Sequence, residues 1–130
     1  MYEFKEHTAD IKIYAKGKDC GEAIESLLNA LCEFIGGEGK KEKTLVFNFR
    51  GEFEEQFIVG LVDDFLYLIE KKKVIPKRVK LKNIDYEKFY VDIEVRGREG
   101  IPENIIKAAT YHDLKINREN RCEIEVVLDV

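Results

Sequence analysis

Val79-Lys80-Leu81-Lys82-Asn83-Ile84-Asp85-Tyr86-Glu87-Lys88-Phe89-Tyr90-Val91-Asp92-Ile93-Glu94-Val95-Arg96 is the stretch that decides the fold. Val79, Leu81 and Ile84 form the apolar side of one strand. Phe89, Val91, Ile93 and Val95 alternate with Tyr90, Asp92, Glu94 and Arg96, the period-two pattern of a second strand with one wet face. Asn83 to Lys88 makes a turn between them, so the pair reads as antiparallel. Arg96 to Pro102 follows as a loop.

Upstream the period changes. From about Glu54 to Lys71, the residues Phe57, Ile58, Leu61, Val62, Phe65, Leu66, Leu68 and Ile69 recur at helical spacing, in a stripe wider than one core face requires. Burial from two sides explains that width better than a partner does. Lys71, Lys72 and Lys73 close the helix at the negative end of its dipole. Before it, Leu45, Phe47 and Phe49 alternate with Val46 and Asn48 as a strand that Gly51 ends. An earlier helix opens at Asp19 and Glu22, a capping-box spacing. It carries Cys20, Ala23, Ile24, Leu27, Leu28, Leu31, Phe34 and Ile35 on one face and stops at Gly36-Gly37. Ala9, Ile11, Ile13 and Ala15 alternate with Asp10, Lys12, Tyr14 and Lys16 as the first strand. Downstream, Ile105 to Leu114 is a short ordered stretch, and Cys122, Ile124, Val126, Leu128 and Val130 form one face of a last strand. The expected order is β-α-β-α-β-β-β-β: one α+β domain over residues 1–130, two helices on one face of a mainly antiparallel sheet.

Composition narrows the function classes. The chain has 130 residues, 45% hydrophobic and 37% charged, with a formal net charge of -4. That length allows one sizeable core. The acidic balance, with pI about 5.4, argues against a broadly basic nucleic-acid-binding domain or strong direct nucleic-acid binding, while leaving room for a local basic patch. No apolar run approaches the roughly 20 residues of a membrane span, and Met1 to Glu6 lacks the features of a signal peptide. Cys20, Cys32 and Cys122, odd in number and without a CxxC pair, read as reduced, mostly buried thiols of a cytoplasmic protein. Abundant Glu and Lys beside a single glutamine, Gln56, hint at a thermophile. The signatures GxSxG, HExxH, Walker A and GxGxxG are absent.

Two polar strand faces carry candidate chemistry. Asp10 lies on the polar face of the first strand and Asp129 on that of the last, next to Val130 and its α-carboxylate. Three converging carboxylates require protons or a cation. An all-oxygen set suits Ca²⁺ or Mg²⁺ better than zinc. Taken singly, Asp10 reads more simply as a solvated strand residue and Asp129 as a polar residue near a fraying end. His112 with Asp113, Lys107 and His7 each have an equally plain structural role. Spacing alone does not assemble them into a site.

Three blocks add a resemblance. His7-Thr8-Ala9-Asp10-Ile11, Ile106-Lys107-Ala108-Ala109-Thr110-Tyr111-His112-Asp113-Leu114 and Val127-Leu128-Asp129-Val130 resemble, in order and spacing, blocks of the archease family, and Leu61 to Glu70 is similar to its LYL-E helix. Departures are mild: Lys12 where glycine is common, Ala109 for valine, and no tryptophan. The resemblance implies an accessory protein of RtcB-type tRNA-splicing ligases that promotes ligase guanylylation and repeated turnover. It also implies possible chaperone-like support of a tRNA cytosine-5 methyltransferase. It implies metal ligands at Asp10, Asp129 and Val130 and an activating lysine at Lys107, with His112 and Asp113 as neighbours in the same block. A metal-dependent phosphoesterase using Asp10, His112 and Asp129 is the alternative reading, and a passive scaffold using the Leu61 to Ile69 face is a third.

Overall fold

A computed structural model describes residues 1–7 and 10–130, without the side chains of Glu6 and His7. Ala9, expected in the first strand, lies outside the described residues. The elements are β1 (Tyr2–His7), β2 (Asp10–Gly17), α1 (Cys20–Ile35), β3 (Gly39–Arg50), α2 (Glu54–Lys72), β4 (Val74–Asp85), β5 (Tyr90–Gly100), β6 (Ala108–Asn117) and β7 (Cys122–Asp129). They form an α+β fold with two antiparallel sheets, ordered β1-β2-β7-β6 and β3-β5-β4.

The decisive hairpin is β4–β5, paired from Val74 opposite Glu99 to Asp85 opposite Tyr90. Val79 faces Val95 and Leu81 faces Ile93, which puts their apolar sides on one face. Phe89 takes a left-handed backbone (φ 53°) as the chain turns back. The anticipated loop after Arg96 is instead strand as far as Gly100. Pro76 is accommodated because the register shifts beside it. Gly97 lies opposite Pro76, where a Cβ would collide with the Ile75 carbonyl oxygen.

Both helices begin and end as their sequences dictate. The Asp19 carboxylate accepts the Glu22 N–H at 2.8 Å, capping α1. Gly36 and Gly37, both at positive φ, turn the chain away after Ile35. Lys73 caps α2 in the left-handed conformation, its N–H donating to the Glu70 carbonyl at 3.2 Å. Helix α1 packs on β2 and β7 of one sheet and β4 of the other; α2 packs on β6 and on β3 and β4. The wide apolar stripe of α2 is therefore buried from two sides. Phe57, Phe65, Leu61 and Val62 are all at or near zero exposure, and each large side chain withdrawn from water contributes about 1.5–3 kcal/mol.

Further features depart from the sequence reading, beginning with the single expected sheet, which is two because β3, β4 and β5 pair only with one another. The N-terminus forms β1, which pairs with β2 from Tyr2 opposite Ala15 to His7 opposite Asp10, so the sheet gains an edge strand. The cysteines are not all reduced: Cys20 and Cys122 are joined by a disulfide across 102 positions, leaving Cys32 as a buried free thiol among the described residues. The reason is register. Gly17 at the end of β2 faces Cys122 at the start of β7, and α1 begins three residues later at Cys20, so the two Cα atoms come within 5.0 Å.

Candidate functional site

The four-stranded sheet brings its chemistry to one end. Asp10 is the first residue of β2 and stands opposite Asp129, the last residue of β7. Asp129 also stands opposite Ala108, the first residue of β6, and Asp10 opposite His7 at the end of β1. Direct antiparallel partners have Cα atoms about 4.5–5.5 Å apart and side chains on the same face. Ile11, Ile13 and Ala15 alternate toward the core with Leu128, Val126 and Ile124, so Asp10 and Asp129 both belong to the outward face. Thus two carboxylates from opposite ends of the sequence share one row at the sheet's end.

Lys107 is attached to that row through its backbone. Its N–H donates to the Asp129 carbonyl at 2.8 Å, while the lysine residue itself is exposed. The segment before it is fixed to the end of α1. The Asn104 N–H donates to the Ile35 carbonyl at 2.9 Å, and the Asn104 side-chain amide to the Phe34 carbonyl at 3.0 Å. A third tie comes from α2, where the Asp63 carboxylate accepts the Ala109 N–H at 2.7 Å. Burial pushes the Asp63 carboxyl above its usual value, and the Ala109 bond opposes that rise. Sequence reasoning passed over Asp63. Its only signal is a pair of acids, Asp63-Asp64, interrupting an apolar helical stripe.

His112 and Asp113 occupy a different place. They lie in the irregular part of β6 between Thr110 and Lys115, where the register with β7 shifts and Asp113 adopts φ 54°. His112 Nε2 is 3.3 Å from Asp113 Oδ2, and both side chains are solvent-accessible. They fall where the five steps from Thr110 to Lys115 oppose only two steps of β7, so the register pairs neither of them with the Asp10–Asp129 row. The side chain of His7 lies outside the described residues.

Below the row, the outward face is an ionic lattice. Glu125 pairs with Lys5 at 2.8 Å and with Lys115 at 3.9 Å, and Tyr14 donates a hydrogen bond to Glu123. The bond from Lys5 holds the Glu125 carboxyl below its usual value. The Asp10–Asp129 row continues this outward face at the sheet's end.

The sequence model of the Archease protein family (MTH1598/TM1083) matches residues 2–130. The chain belongs to the archease family. It is 30% identical to the protein archease of Pyrococcus furiosus, with 100% of this chain and 99% of that one aligned, and 28% identical to an archease-like protein of Dictyostelium discoideum, over 99% and 93%. The Thermotoga maritima crystal structure described as an archease, possible chaperone, superposes with a TM-score of 0.72 at 28% identity, covering 97% of this chain and 94% of that one. The solution structure of Methanobacterium thermoautotrophicum protein 1598 shares the fold, with a TM-score of 0.68 at 20% identity over 99% and 98% of the two chains.

In this family member, oxygen atoms dominate the chemistry at the sheet's end. Among the described residues, no three His, Cys, Asp or Glu side chains are grouped to hold a metal ion. A cation there would draw on the two aspartates and on main-chain oxygens of Val130. Such a donor set is acceptor-only and fits a hard divalent ion. The cysteines offer nothing to a softer metal, since two are bonded to each other and Cys32 is buried.

Proposed function

We propose that this protein is a cytoplasmic accessory activator of an RtcB-type tRNA-splicing ligase, promoting ligase guanylylation and repeated turnover without being an enzyme itself. The observation that carries the reading is the register pairing of Asp10 with Asp129, with Lys107 bonded through its backbone to the same aspartate. Asp10, Asp129 and the main-chain oxygens of Val130 hold a divalent cation, Ca²⁺ or Mg²⁺. Such an ion neutralises phosphate charge when bound. Lys107 offers a mobile point charge to a phosphate or to an acidic residue of the ligase. Its backbone tie, with those of Asn104 and Ala109, sets where that charge can reach.

The test is multiple-turnover guanylylation of the cognate ligase with Asp10→Ala, Asp129→Ala and Lys107→Ala. Each folded variant is expected to lose most of the stimulation. Full stimulation by all three refutes the proposal. A thermal shift on adding Ca²⁺ or Mg²⁺, present in the wild type and absent in Asp129→Ala, reads the cation separately. The phosphoesterase reading has less support, because the β6–β7 register does not place His112 in the row of the two acids.

One observation favours a second role, as a chaperone for a tRNA cytosine-5 methyltransferase. The α2 stripe expected to serve a scaffold is buried, but an apolar cleft of about 250 Å³ lies beside its C-terminal end, walled by Leu66, Ile69 and Val74. Ile101 and Ile105 rim it at 85% and 71% exposure. Suppression of methyltransferase aggregation, lost in Ile101→Ser with Ile105→Ser and retained in Asp10→Ala, is the result this role requires.

A further inference from the structure

The charge of this protein is segregated. The strands β3, β4 and β5 contain ten Lys and Arg against five Asp and Glu, a balance of +5. The rest of the chain contains twelve against twenty-one, a balance of -9, which together give the net -4. An acidic protein therefore carries a basic three-stranded sheet. The inner face of that sheet is core: Val79, Val91, Ile93 and Val95 are buried. Its outer face is open. Arg50, Arg78, Lys80, Lys82, Arg96 and Arg98 are all exposed, and Val46 in the same layer is 73% exposed.

Several of these cations are not compensated. Glu94 takes both Lys82, at 2.8 Å, and Arg96, at 3.2 Å. Lys80 stands opposite Glu94, whose oxygens those two cations already engage, and no carboxylate lies in ion-pair reach of Arg50 or Arg78 among the described residues; Arg50 instead lies over the Tyr90 ring at 5.3 Å. Arg78 stands directly opposite Arg96 in the register, an arrangement of like charges that destabilises a sheet. An external anion would relieve that repulsion. Along β5, Tyr90 to Arg98 spans roughly 27 Å at the ordinary strand rise, which is too long for one phosphate and suits a run of them.

We infer that the outer face of the β3-β5-β4 sheet binds the phosphate backbone of RNA, without reading its sequence. The surface favours nucleic acid over protein because the cores of protein interfaces are depleted in charge and centre on apolar anchors. Here Val46 is the exposed apolar residue amid the cations, whereas nucleic-acid interfaces are polar and strongly positive. Arginine forks match phosphate oxygens in geometry as well as charge. The choice of RNA as the polyanion rests on the ligase-accessory reading; the basic face itself does not.

Fluorescence anisotropy of a labelled RNA stem-loop with the purified full chain tests this. If about four phosphates are neutralised, affinity falls about a hundredfold between 50 and 200 mM monovalent salt. Arg50→Gln with Arg78→Gln and Lys80→Gln is expected to weaken binding at least tenfold and flatten the salt dependence, while leaving the melting temperature and the RNA-free guanylylation assay unchanged. No binding at 50 mM salt overturns the inference, as does wild-type affinity in the triple variant or equal binding of a polyglutamate chain. Loss of RNA-free guanylylation in the triple variant also overturns it, by assigning the face to the ligase. Salt-dependent RNA binding that the triple variant loses upholds the inference even where Asp10→Ala stimulates the ligase fully and the activator reading fails.

Discussion

Removing the Asp63 carboxylate should loosen the Lys107–Ala109 segment without touching the Asp10–Asp129 row. In the folded protein Asp63 accepts the Ala109 N–H at 2.7 Å, and Ala109 is only 6% exposed, so water replaces the lost acceptor poorly. A hydrogen bond to a charged acceptor contributes about 1.5–3 kcal/mol. Asp63 is only partly buried, which reduces that contribution through solvent screening. Asp63→Ala is therefore expected to cost about 1–2 kcal/mol, or about 3–8 °C in melting temperature for a domain of this size. Asp63→Asn keeps an oxygen acceptor and gives up a charge that burial disfavours, so at neutral pH it should stay within about 1 kcal/mol of the wild type.

The pH dependence has a definite sign. Burial raises the folded-state carboxyl above its unfolded value, against the opposing Ala109 bond. A raised folded value means that stability relative to the non-titrating Asn variant is fully present below the unfolded aspartate pKa of about 3.9. It is lost as pH rises through the folded value. Differential scanning calorimetry across that range, with hydrogen exchange at Ala109 and Thr110, checks both parts. An Asp63→Ala protein melting within 1 °C of the wild type with unchanged exchange at Ala109 refutes the reasoning. So does an Asn variant that loses ground as pH rises.

Two further outcomes follow from the packing. Reduction of Cys20–Cys122, which closes a 102-position span, should remove up to about 4.7 kcal/mol in the chain-entropy description. The melting temperature should fall by up to about 20 °C. Without reductant the native protein should take no thiol label at pH 8, because burial pushes the Cys32 thiol up to about 12. Melting unaffected by reductant, or native labelling, contradicts this. Gly97→Ala drives a methyl into the Ile75 carbonyl oxygen and to 2.8 Å from Val74 Cγ1. A loss of about 3 kcal/mol in urea unfolding is expected, and an unchanged midpoint would show that the β4–β5 pairing yields there.

Local structure was largely legible in the sequence because its causes are local. The Asp19–Glu22 cap, the Gly36-Gly37 stop and the hairpin around Asn83 to Lys88 each depend on residues a few positions apart. The width of the α2 stripe correctly implied burial from two sides. What was not legible is non-local. The division of the strands into two sheets depends on which strands meet, and alternation gives each strand a face without naming its neighbour. The first six residues, with Tyr2 and Phe4 alternating with charges, are too short to distinguish an edge strand from a polar end. The Cys20–Cys122 bond was hidden for the same reason: it requires the β2–β7 register, and neither cysteine's neighbourhood encodes that.

The site obeys this division. Asp10 and Asp129 could each be placed on the polar side of a strand, yet nothing in composition or spacing joins residues at opposite ends of the chain. The β2–β7 register does so. The same register gives His112 no place in that row, because it lies in the part of β6 between Thr110 and Lys115 that is out of step with β7. Lys107 stays close because it lies one residue before Ala108, and its amide reaches Asp129 directly. Histidine in a sparse composition attracts attention by rarity; lysine in a charged chain does not. Position in the sheet reverses that order, since the Lys107 amide is bonded to the row, where the register does not place His112. The Asp63 tie to Ala109 matters for the same reason: it holds the first residues of β6, and with them Lys107, in the row where both aspartates stand.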